Sequence, residues 1–203
     1  MPTWPRTICP TQVSFPRFPG GLDSWGESGK GQVRSIMAVG RVWEEVYSPI
    51  RMDQEDTKEF IALINQYWRN RTVVEVDHRY FQTQMGAGGG TPLVNGASQT
   101  GSSLDTDGWP ASTSGVLKAG DIIKVAGIPY ILDVTADADS DSGGNATLSI
   151  SPPIFSGGSP ADDAVITYTG VKYKCVIAEP PNIPRGARFV AGLRIVFREV
   201  ISV

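Results

Sequence analysis

Residues 53–69 read Asp53-Gln54-Glu55-Asp56-Thr57-Lys58-Glu59-Phe60-Ile61-Ala62-Leu63-Ile64-Asn65-Gln66-Tyr67-Trp68-Arg69. Phe60, Ile61, Leu63, Ile64, Tyr67 and Trp68 recur at helical spacing and make one broad apolar face, which predicts an amphipathic helix over 54–69. Asp53 stands where an N-cap carboxylate accepts hydrogen bonds from the first free amides. Glu55, Asp56 and Glu59 place negative charge at the positive pole of the helix dipole, and Arg69 and Arg71 place cations at the other. Such a face must be buried, and what surrounds it reads as strand.

Upstream, Ile36, Met37, Val39, Val42, Trp43 and Val46 within residues 33–46 predict a strand pair, or one long bent strand, broken at Gly40. Downstream, Val73, Val74 and Val76 open a strand that runs through about Tyr80. Further on, Tyr173, Cys175 and Ile177 alternate with Lys172, Lys174 and Val176, and beyond Pro180, Pro181 and Pro184 a long strand starts at Arg188. In that strand Phe189, Ala191, Leu193, Ile195 and Phe197 share one face, and Gly192, Arg194, Val196 and Arg198 share the other. Residues 1–31 carry Pro2, Pro5, Pro10, Pro16 and Pro19. Proline has no amide hydrogen for a ladder, so an extended arm or long loops are expected there. The chain therefore reads as mainly β, in the α+β class, with one helix.

Charge divides the chain. Residues 84–170 hold nine acidic side chains against Lys118 and Lys124, a net of −7, which leaves +4 for the rest of a chain whose net charge is −3. Gly86-Ala87-Gly88-Gly89-Gly90-Thr91-Pro92 reads as a flexible breaker and places a boundary near residue 84. Within the acidic region, Ile122, Ile123 and Val125 and then Ile128, Tyr130, Leu132 and Val134 predict two strands hinged at Gly127. A loop over 137–145 then leads into alternating Ala146, Leu148 and Ile150, which completes a hairpin. The strands after residue 171 match those before 84 in character. The expected division is a discontinuous domain of 1–83 plus 172–203 with an acidic all-β insertion over 84–171.

Several chemistries find no support. No apolar run is long enough to cross a membrane and the first residues carry no leader pattern, so the protein is expected in the cytosol where it is made. A net charge of −3 gives no basic surface for nucleic acid. Cys9 and Cys175, far apart and with a single histidine in the chain, read as free thiols and not as zinc ligands. Gly26-Glu27-Ser28-Gly29-Lys30-Gly31 fails as a phosphate loop, because Ser24 stands where glycine is required and Gly31 follows the lysine. Asp137, Asp139 and Asp141 have the spacing of a calcium loop, but glycine comes at the seventh place and Leu148 holds the twelfth; a hairpin turn with solvated charges fits better. His78 reads as a residue at a strand end, and Glu44 with Glu45, or Asp105 with Asp107, as surface charge. No cofactor and no catalytic residue is expected.

Among the tryptophans, Trp43 and Trp68 read as core. Trp4 and Trp25 lie in the proline-rich arm, which must bury its aromatic rings against something, so they are interface candidates together with the strand residues Arg194 and Arg198.

The order of features resembles the distal tail and minor tail proteins of long-tailed bacteriophages over most of the chain. Its first half is similar in Trp4-Pro5, in Gly40-Arg41-Val42-Trp43 and in the acidic-capped helix with Phe60 and Trp68. Its middle is similar in Leu117-Lys118-Ala119-Gly120-Asp121-Ile122-Ile123, in Ile128-Pro129-Tyr130 and in Gly144-Asn145-Ala146-Thr147-Leu148-Ser149-Ile150-Ser151-Pro152-Pro153. The resemblance implies a tail-tube-like β-sandwich flanked by a helix, six copies of which close into a ring below the last ring of the tail tube. It implies a structural virion protein at the distal end of the tail, with tail tube, hub, fibre and tape measure proteins as neighbours. Outer modules differ within that family and include sugar-binding ones. The alternative for residues 84–171 is therefore a host-surface carbohydrate binder with Trp109 and Tyr130 as contacts, and a hydrolase of surface polymer is the third expectation.

Overall fold

Alternating side chains and turn residues produce, among the described residues of the computed structural model, fifteen short strands and one long helix. It describes residues 1–5, 8–17, 21–25, 32–36, 40–47, 50–51, 55–78, 81, 83–183, 189–190 and 192–201; of 21–25, 32–36, 50–51 and 189–190 only the backbone is described. The expected N-cap Asp53, the segment 26–31, Pro184 and the side chain of Trp25 lie outside the described residues.

In chain order the elements are β1 (Gln12–Val13), β2 (Gly21–Trp25), β3 (Gln32–Ile36), β4 (Val42–Tyr47), β5 (Ile50–Arg51), α1 (Glu55–Asn70) and β6 (Val74–Asp77). There follow β7 (Leu93–Val94), β8 (Gly101–Asp107), β9 (Ile122–Val125), β10 (Leu132–Val134), β11 (Ala146–Ile154) and β12 (Ile166–Thr167). The chain ends with β13 (Lys172–Ile177), β14 (Phe189–Val190) and β15 (Leu193–Glu199). The fold is mainly β with one helix. None of the described helices is long and apolar enough to cross a membrane.

The chain forms two units, one of Met1–Val76 with Lys174–Ile201 and one spanning Asp77–Tyr173. The first contains a five-stranded sheet ordered β1-β4-β15-β13-β6. Register between β4 and β15 pairs Leu193 with Tyr47, Ile195 with Glu45 and Phe197 with Trp43 on one face, and Arg194 with Val46, Val196 with Glu44 and Arg198 with Val42 on the other. On the first face every one of these side chains is buried. The helix buries Thr57, Phe60 and Ile64, a stripe one residue wide at helical spacing. Ile61, Leu63, Tyr67 and Trp68, expected on the buried face, are only half-buried at its flanks. Arg71 ends the helix in the left-handed region at φ 50°, and its guanidinium lies 3.8 Å from the Trp68 ring centroid.

Two expectations for the arm and its sequel change. Gly21–Trp25, expected as loop, pairs antiparallel with Gln32–Ile36, because five residues there can form a ladder free of proline. β3 and β4 are separate strands with Gly40 in the break, and β3 pairs with β2.

The second unit is a closed antiparallel barrel. Its sheet runs β12-β9-β10-β11-β8-β7, and an antiparallel bridge between Leu93 and Val165, with Val94 N–H donating to Ala164 O at 3.0 Å, joins the last strand to the first. Closure leaves no free edge. The interior is filled by facing pairs that include Leu104 with Leu148, Leu132 with Ile123, and Val134 with Ile150, each fully buried or nearly so. The Gly86–Gly90 stretch is not a flexible boundary but part of this body. A Cβ on Gly86 would lie 2.5 Å from Val116 O, and Gly90, at φ +69, would put one 2.1 Å from Gly108 O. Glycine is required there for backbone to approach backbone. Asp121, 3% exposed, secures the same stretch by accepting from the amides of Met85 (2.6 Å), Gly86 (3.0 Å) and Lys118 (2.8 Å).

Candidate functional site

Trp4 was expected to bury its ring against a neighbouring copy; in the structure its own chain covers it, at 1% exposure. Its ring centroid stands 5.7 Å from that of Phe60, 6.1 Å from Tyr67 and 4.9 Å from Phe197. The indole N–H donates to the Tyr47 hydroxyl at 3.1 Å, and Tyr47 in turn donates to the Glu45 carboxylate at 2.5 Å. A tryptophan has a polar edge that must be satisfied when buried, and helix and sheet together supply both its apolar walls and an acceptor.

Either side of Trp4, the arm adds to the two edges of the five-stranded sheet. At β6, Trp4 N–H donates to Glu75 O at 2.7 Å and Glu75 N–H to Pro2 O at 2.9 Å, a parallel bridge. At β4, Thr11 N–H donates to Val46 O, Ser14 N–H to Glu44 O, and Arg17 and Val42 exchange amide bonds at 3.0 and 2.8 Å. Gln12 and Val13 pair antiparallel with Val46 and Glu45. One segment thus occupies both edges of one sheet and a ring pocket beside its helix.

The opposite face of the sheet carries Arg194, 50% exposed, which meets Glu44 at 2.7 Å and Glu179 at 4.0 Å. Arg198 is exposed on the same face. Adjacent Glu44 and Glu45 point to opposite faces of β4, one to solvent and one fully buried, so they cannot act as a catalytic pair. Sequence spacing gave no sign of the ion pair between Arg41 and Glu199, 3.6 Å apart and each 2% exposed. Beside it, burial first, and then the charges of Glu199 and Glu45, push the Cys175 thiol well above the usual range. Neither cysteine forms a disulfide; Cys9 is exposed and Cys175 buried.

In the barrel, the two aromatic residues expected to touch glycan are core. Trp109 is 4% exposed and its indole N–H donates to Thr106 Oγ1 at 2.8 Å. Tyr130 is 4% exposed and donates to Pro153 O at 3.0 Å; desolvation raises its phenol above the usual value against the lowering effect of a backbone contact at Phe155. Burial leaves neither ring with an exposed face for stacking on a sugar.

The aspartate series holds the loop through protein donors. Asp137 accepts from Ala119 N–H at 2.9 Å, Asp139 from Gly115 N–H at 2.6 Å and Ser114 Oγ at 3.0 Å, and Asp141 from Asn145 and Gly143. The Gly115 amide and Ser114 hydroxyl hold Asp139 below the usual carboxylate range, and the Asn145 side chain and amide do the same for Asp141. Nearby, Asp105 accepts from Thr147 Oγ1 at 2.7 Å. Asp105, Asp139, Asp141, Asn145 and Thr147 line a shallow polar depression of about 480 Å³ with Asn95 and Thr106. His78, just past β6, is 1% exposed and stacks near Phe81 at 5.1 Å. Among the described residues no group of three histidine, cysteine, aspartate or glutamate side chains could hold a metal ion. No protein-family model and no curated protein matches the chain.

Proposed function

We infer that the chain is a structural, non-catalytic protein of the distal end of a long bacteriophage tail, where copies of it, six by the pattern of the family it resembles, close into a ring between the tail tube and the hub or fibre proteins. One observation carries this reading: a helix-backed antiparallel sheet assembled from sequence-distant segments, with a complete barrel between them in sequence. That arrangement suits a subunit whose work is done by surfaces: the arm caps both edges of the sheet, so a repeated head-to-tail contact would run through the arm and the sheet it covers. The tape measure protein is a further proposed neighbour. The carbohydrate alternative loses support, since Trp109 and Tyr130 are spent on the barrel core.

Negatively stained images of the purified protein, alone and with tail tube protein, test the ring. Closed particles of uniform diameter are expected. Scattered single copies under both conditions would refute it.

A further inference from the structure

The arm, residues 1–17, is attached to the sheet unit by two strand edges and one ring pocket. Backbone hydrogen bonds at Pro2, Trp4, Thr11, Ser14 and Arg17 run to β4 or β6. Pro2, Pro5, Pro10 and Pro16 remove amide donors at four positions, so the segment has poor means of forming a hairpin or helix of its own. Its groove is built from other elements: β4 pairs with β15, and Phe60 of α1 and Phe197 of β15 wall the pocket for Trp4. Arm and groove are therefore separately made surfaces, and the groove of one copy fits the arm of another as well as its own. Phe15 and Met1, 65% and 63% exposed, are large apolar groups of the arm that a neighbouring copy would cover.

We propose that in the assembled particle the arm of each copy lies in the groove of the next copy, making in trans the bonds described above. This rests on the ring reading. Exchange of an identical element conserves the contacts of the closed monomer, and in a ring each copy gives one arm and receives one, so no groove stays empty and no edge stays open. The partner recognised is a second copy of this chain, and the specificity is that of a tryptophan pocket flanked by two edges at fixed separation.

Gln12 and Val46 are paired across the arm and β4. In a Cys9→Ser background, which removes the exposed thiol, Gln12→Cys and Val46→Cys are combined and the protein is oxidised. Its native mass is measured by light scattering, and it is then run on a denaturing gel without reductant. The expected result is a covalent ladder reaching the copy number of the native particle and collapsing on reduction. A native oligomer that gives only internally linked single chains would overturn the exchange and leave the ring standing. Native single copies with internal links would overturn both, and linked dimers without rings would retain the exchange and refute the ring. Absence of any link would overturn the pairing itself. The two single variants, mixed in equal amounts, guard against random oxidation: exchange links one of each, whereas random oxidation also links like with like.

Discussion

Trp4 and Tyr47, 43 residues apart, meet in a buried hydrogen bond of 3.1 Å from indole to phenol, and through it the arm is tied to the central strand pair. The same phenol passes its own proton donor to Glu45, so three side chains from arm and sheet form one chain of donors and acceptors.

Replacing Trp4 with alanine empties a pocket walled by Phe60, Tyr67 and Phe197 and leaves the phenol without its donor. A loss of about 3–5 kcal/mol is expected in urea unfolding, in the range of large aromatic truncations. Trp4→Phe retains the ring contacts and should lose clearly less. Equal losses for the two would show that the ring packing contributes nothing.

Arg41 and Glu199 form a buried ion pair at 3.6 Å, 158 residues apart in sequence. Arg41→Met alone should cost on the order of 3–5 kcal/mol, since it strands a buried carboxylate, whereas Arg41→Met with Glu199→Leu should recover most of that. A double-mutant cycle by denaturant unfolding measures the coupling, and additive losses would disprove it.

Asp139 and Asp141 have depressed folded-state pKa values, from the Gly115 amide and from the Asn145 side chain as first causes. A depressed carboxylate contributes stability that is present above its unfolded pKa of about 3.9 and is lost as pH falls through the lower folded value. Asp139→Asn with Asp141→Asn should therefore be less stable than the parent near neutral pH and flatten the acid limb below about pH 4. An unchanged acid limb would contradict the assignment. Carbon-detected NMR titration reads the two midpoints directly.

The exposed thiol of Cys9 should react with a disulfide reagent in the native protein at once, and the buried, high-pKa thiol of Cys175 only on unfolding. The expected count is one thiol per native chain and two in denaturant. Two fast native thiols would mean that the sheet interior beside Glu45 and Glu199 is open to solvent.

Much of the architecture was legible because it follows from local periodicity. The helix expected over 54–69 spans Glu55–Asn70, and Tyr173, Cys175 and Ile177 point inward as their alternation requires. Val196, placed by alternation on the face of Arg194 and Arg198, is 6% exposed, since alternation says which side a residue faces but not what lies over that side. The site residues were less legible. Trp109, named as a glycan contact for the alternative reading, is instead 4% exposed with its indole N–H donating to Thr106. The glycines at 86 and 90 read as freedom, but close backbone approach makes them a constraint.

Period, capping charge and proline placement are properties of neighbours in sequence, so the helix over Glu55–Asn70 and the alternation within β15 were legible before any tertiary contact, whereas the one long strand expected from Arg188 is two, β14 pairing with β5 and β15 with β4 and β13. Which partners Trp4 and Arg41 meet depends on contacts with residues far away in sequence, Tyr47 at 43 positions and Glu199 at 158. Only the tertiary structure decided those, because an aromatic ring or a charge states that it must be satisfied when buried, and the packed chain chooses by what.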